Sequence, residues 1–152
     1  IETAGFNGEF TYFRDKNNFA DTAGIFVGSL GLNYTFPSSL FFNCAFLYNS
    51  NGKTGKAGGY LLGYTDYSAK SLSFGKYAIF AQSSYQITPL LKANIASIVN
   101  PSDKSLFLGP NLEYSISEDI YILLMGQFFL GQSGTEYGDF GKFLYFRLKW
   151  NY

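Results

Sequence analysis

The chain has 152 residues with 11 basic and 11 acidic side chains, so it is read as one domain with no net field to attract nucleic acid or an acidic partner. Only 14% of residues are charged while 20% are aromatic, and 17 glycines and 13 tyrosines accompany them, a mixture that favours strands over helices. One cysteine and no histidine exclude an intramolecular disulfide, a Cys/His metal site and any catalytic triad that needs an imidazole; neither enzyme activity nor a cofactor is expected.

No stretch approaches the ~20 consecutive apolar residues of a transmembrane helix, so membrane crossing must be argued from alternation. The start shows no basic segment followed by an apolar run, and Ile1 reads as a mature or trimmed end. Period-two patterns between turn signals predict eight strands near 3–14, 23–36, 39–50, 74–87, 90–100, 105–117, 119–131 and 140–152. Their connections alternate. Pro37-Ser38-Ser39, Thr88-Pro89 and Ser117-Glu118-Asp119 are short turns, whereas 15–22, 51–73 and 132–139 are longer and polar. The join at Asn100-Pro101-Ser102-Asp103 is short but falls on the side of the long ones. Short turns at one end and longer loops at the other predict an all-β, transmembrane, antiparallel up-and-down β-barrel of about eight strands, with the short turns and both termini periplasmic.

Each run divides into two faces. The apolar stripe includes Phe6, Phe10, Leu30, Leu32, Phe46, Ile95, Leu108, Leu124, Phe128, Phe146 and Leu148, with Cys44 as a small filler. The opposite stripe is expected to line the lumen through Glu9, Lys76, Gln82, Lys92, Asn94, Asn111, Glu113, Gln127, Arg147 and Lys149. Volume decides the direction: an eight-stranded barrel is barely wide enough for its own side chains, so upwards of ~30 large apolar residues must face outward, towards lipid. A soluble lipocalin-like barrel needs the reverse arrangement. Tyr34, Phe36, Tyr85, Tyr114, Trp150 and Tyr152 fall at the short-turn ends and predict one aromatic girdle; Tyr12, Phe26, Phe46, Tyr48, Tyr77 and Phe128 fall towards the other.

The last ten residues, FLYFRLKWNY, alternate and stop on an aromatic residue. They resemble the terminal strand of Gram-negative outer-membrane proteins. The segments PSSLFFNCAFLYNSNGK and ITPLLKANIASIVNPSDKSLFLGPNLEYSISEDIYILLMGQFFLGQSGTEYGDFGKFLYFRLKW resemble the C-terminal part of porin-like barrels. The resemblance implies an outer-membrane location, the lipid bilayer as surroundings and recognition of the C-terminal strand by the barrel-assembly machinery. Members of that family are longer, so residues 1–152 are read either as a whole barrel or as a portion of a wider one.

Three functions follow. A closed eight-stranded barrel leaves little room for water, so its lumen charges pair and its role is structural or mediated by loops, with 51–73 (Lys53, Lys56, Lys70, Asp66, Tyr60, Tyr64, Tyr67 and five glycines) as a possible contact for a protein partner. A wider barrel is a porin-like passive channel, weakly cationic and favouring anions. A soluble ligand-binding barrel is the third. Closure at eight strands would set Glu9 near Arg147 or Lys149.

Overall fold

The computed structural model describes residues 3–14, 24–58 and 74–152. Eight antiparallel strands follow in chain order: β1 (Thr3–Phe13), β2 (Ile25–Thr35), β3 (Phe41–Asn49), β4 (Tyr77–Thr88), β5 (Leu91–Asn100), β6 (Ser105–Ser115), β7 (Ile120–Leu130) and β8 (Lys142–Trp150). They form one sheet in which every strand pairs with its sequence neighbours. Each predicted run holds one strand, with ends moved by a few residues. Tyr60, Tyr64, Tyr67, Asp66 and Lys70, and the loop 15–22, lie outside the described residues.

Connections of two to five residues join β2 to β3, β4 to β5 and β6 to β7. In the first, Phe36 N–H donates to Leu40 O (2.9 Å) and Ser39 N–H to Phe36 O (2.9 Å), with Ser39 at φ 64°. A register shift between Gln86 and Thr88 ends β4, and Gln86 Nε2 donates to Thr88 O (2.7 Å). Within β6, pairing with β7 is interrupted at Gly109 and Pro110, because proline has no N–H to give the ladder.

The sheet does not close on itself. Among the described residues β1 pairs only with β2, and β8 only with β7. The closed eight-stranded barrel is corrected on this point, and with it the expected approach of Glu9 to Arg147 or Lys149. Closure depends on strand number and stagger, which no local alternation encodes.

Directly opposed residues share a face, so the register assigns every strand residue to a side. One row reads Phe6, Leu32, Cys44, Ala81, Ser97, Leu108, Phe128, Lys142 across all eight strands. On that face, apart from Ser83, Ser97 and Lys142, every residue other than glycine is apolar or aromatic. In the first three strands Phe6, Phe10, Leu30, Leu32, Phe42 and Phe46 all lie on it. At the loop end its rings form a ladder across four strands: Phe10–Phe26 (6.0 Å), Phe26–Tyr48 (6.1 Å), Tyr48–Tyr77 (5.6 Å) and Phe46–Tyr77 (6.1 Å). Phe10 lies over Gly28, its opposite number, where a Cβ would come within 2.8 Å of the ring.

Among the described residues nothing covers this face. Phe6 and Leu144 are 76% exposed and Trp150 68%, while the one buried hydrophobic among the described residues is Ala57, in a loop. A single layer with no core cannot offset the entropy of ordering its chain in water.

Candidate functional site

The polar face carries two assemblies, one at each end of the strands. At the short-turn end a depression of about 480 Å³ is lined by Lys92, Glu113, Arg147 and Lys149, with Gln86 and Tyr121 among its other walls. Register explains the grouping: Gln86, Lys92, Glu113, Leu123 and Arg147 form one row across β4 to β8, and Tyr121 opposes Lys149 in the next. Asn94, one row further in, donates from Nδ2 to Asn111 Oδ1 (2.8 Å) and to Glu113 Oε1 (3.3 Å). Gln82, opposite Asn43, Gln127, opposite Phe143, and Glu9, opposite Ser29 on the far edge, share the same face. Lys76 departs from this set. It precedes β4, and its ammonium stands 6.0 Å from the centre of the Tyr48 ring on the apolar face; a lysine at a strand end follows the nearest ring, not the strand's alternation.

The aromatic positions lie where alternation put them. Tyr34, Tyr85, Tyr114 and Trp150 stand on the apolar face at the short-turn end, and Phe36 and Tyr152 continue it through edge-on contacts at 4.6 Å with Tyr34 and 6.5 Å with Trp150.

The second assembly is a set of loops folded together at the other end. Gly55 N–H donates to Ser102 O (3.2 Å), Gly58 N–H to Gly134 O (2.9 Å) and Lys56 Nζ to Ser133 O (2.7 Å), so 49–58, 101–104 and 131–141 form one body. Its centre is Asn100, fully buried, whose Nδ2 donates to Glu136 Oε2 (2.7 Å) and whose Oδ1 accepts from Ser102 N–H (3.0 Å). Asp103 accepts from Ser105 N–H (3.0 Å) and Ser105 Oγ (2.6 Å) on one oxygen and from Glu136 N–H (2.6 Å) on the other. Gly75 is required beside them, since a Cβ there would strike the Asn100 side chain. Tyr137 packs against Phe107 (6.4 Å) and Phe129 (6.3 Å), which point to the polar side of β6 and β7, and Phe140 stacks on Phe129 (5.0 Å). The 131–141 loop therefore sits over the polar face.

Burial raises the Glu136 carboxyl above its ordinary range, with the Asp103 charge adding to the rise and the Asn100 hydrogen bond opposing it. Burial and the Glu136 charge push the Tyr137 phenol up as well. Asp139, fully exposed, is held below the usual range chiefly by Gly134 N–H (2.8 Å). Because Glu136 is raised on folding, its stabilising contribution is complete below pH 4.5, the unfolded value, and is lost as pH rises through the folded one. Amide exchange across 132–140 should accordingly slow on acidification through that window, and Glu136→Gln should flatten the dependence; an unchanged pH profile in the variant would mean that another group titrates.

The sequence alone does not bring Asn100, Asp103, Glu136 and Tyr137 together. Asn100-Pro101-Ser102 and Asp103-Lys104-Ser105 do carry the local signal of side chains that bond the N–H two residues on, but nothing local joins them to Glu136. Among the described residues no three of His, Cys, Asp and Glu gather as a metal site. No helix among them is long and apolar enough to cross a membrane, which says nothing of crossing by strands. A scan against protein-family models, a search of curated proteins and a search of solved structures each find no match to this chain.

Proposed function

We propose that this chain is a section of the wall of an outer-membrane β-barrel with more than eight strands, and that the barrel is a porin-like passive channel whose water-filled lumen is lined by the polar face. The observation that carries the reading is an apolar face spanning all eight strands and left without a core. Lipid satisfies such a face, and further strands on the two edges would complete the backbone ladder. Strands of 9–12 residues match the ~9–11 needed for a tilted crossing.

Both edges support further strands. β1 has no lysine or proline, and β8 presents nine exposed residues, with Leu144, Phe146, Leu148 and Trp150 on alternating positions. Neither carries the bulge or proline that blunts an edge meant to stay free. A wider wall reverses the balance between plugged and open lumens, because lumen width follows strand number. Lipid bilayer and assembly machinery are the partners this reading implies. The folded loops support a second reading, a structural barrel acting through its outer surface.

Two measurements test the proposal. Purified protein should require detergent and give discrete conductance steps in planar bilayers; a protein that extracts in plain buffer ends the membrane reading. In a Cys44→Ala background, cysteines at Glu9 and Arg147 should not crosslink within one chain. Efficient intrachain crosslinking would mean closure at eight strands and favour the structural barrel.

A further inference from the structure

We propose that the depression between β5 and β8 at the short-turn end is a binding groove for a small oxyanion, a phosphate or carboxylate solute, and that it sets an anion preference in the channel. This rests on the channel reading above and adds its solute class.

The groove holds three cations, Lys92, Arg147 and Lys149, against one carboxylate, Glu113, a formal charge of +2 on a chain whose total is zero. Lys92 and Glu113 are directly opposed, and Glu113 is engaged by Asn94, itself held by Asn111. Arg147 and Lys149 alternate on one strand, ~7 Å apart, and strands spaced ~4.8 Å put Lys92 about 14 Å from Arg147, a gap that long side chains narrow from both sides. Leu123 lies between Glu113 and Arg147 in the row, so the floor is partly apolar. A planar fork beside two ammonium groups suits the geometry of an oxyanion, which accepts paired hydrogen bonds from arginine and point charge from lysine.

The loop end carries no such cluster: Asp103, Glu136 and Asp139 are interspersed there with Lys56 and Lys104. Anions therefore concentrate at the short-turn mouth, where Lys92, Arg147 and Lys149 share one depression.

The test uses the full protein in planar bilayers under a potassium chloride gradient, with inorganic phosphate as competitor. Chloride should be preferred over potassium, and phosphate should reduce the chloride current from the short-turn side at lower concentration than from the loop side. Lys92→Gln/Arg147→Gln/Lys149→Gln should remove both effects, while Glu113→Gln should strengthen the anion preference, an opposite sign that a damaged fold would not produce. Phosphorus NMR broadening of inorganic phosphate by detergent-solubilised protein, lost in the triple variant, reads binding without conduction. Channels that conduct with no anion preference, or with the same preference and phosphate block in the triple variant, overturn the groove and leave the channel reading intact. Protein that broadens phosphate but never conducts overturns the channel reading and leaves the groove.

Discussion

If the apolar face meets lipid as proposed, Leu124→Arg is expected to destabilise the protein in detergent or lipid by ~2–4 kcal/mol, the cost of a cation on the lipid side near mid-height of such a wall. Leu124 is central in β7, opposed by Leu112 and Phe146 and flanked along its strand by Ile122, so an arginine there has no carboxylate beside it and must drag water inward or bend to a rim. Gln82→Arg, on the opposite face of β4, should change stability within ~0.5 kcal/mol. Urea titrations of the two variants in lipid vesicles make the comparison, and equal effects would overturn the assignment of faces. The pair matters more than either value, because both side chains lie in central strands and differ chiefly in which way they point.

The second large effect belongs to the loop body. Asn100→Ala should loosen 131–141 by ~2–3 kcal/mol, because it strands a half-buried carboxylate oxygen of Glu136 and the Ser102 N–H at once, and an unpaired buried group costs more than a made bond gains. Glu136→Gln combined with Asn100→Ala should cost less than the sum of the separate changes, since the amide needs its partner less than the charge does. Hydrogen exchange resolved to 132–140 would read this directly. Protection unchanged in Asn100→Ala would show that the rings of Tyr137 and Phe140 on Phe129 hold the loop by themselves. In the channel reading this loop narrows the outer mouth, so its loosening should also make the open-state current noisier.

The sequence by itself determined the strands, their order of short and long connections and the side to which each strand residue points. Those features have period two, and a residue such as Leu108 or Arg147 reveals its face through the neighbours two positions away. Height followed too: Tyr34, Tyr85 and Trp150 reach one rim because strand direction alternates with each turn. Lys76 escaped, as it stands beyond the end of β4 where alternation no longer constrains it. Only the tertiary structure decided that β1 and β8 do not pair with each other and that Asn100, Asp103 and Glu136 meet over the polar face. Closure is a property of strand number and stagger summed over the whole sheet, and the loop body joins residues separated by more than thirty positions, so neither leaves a trace in any short stretch of chain.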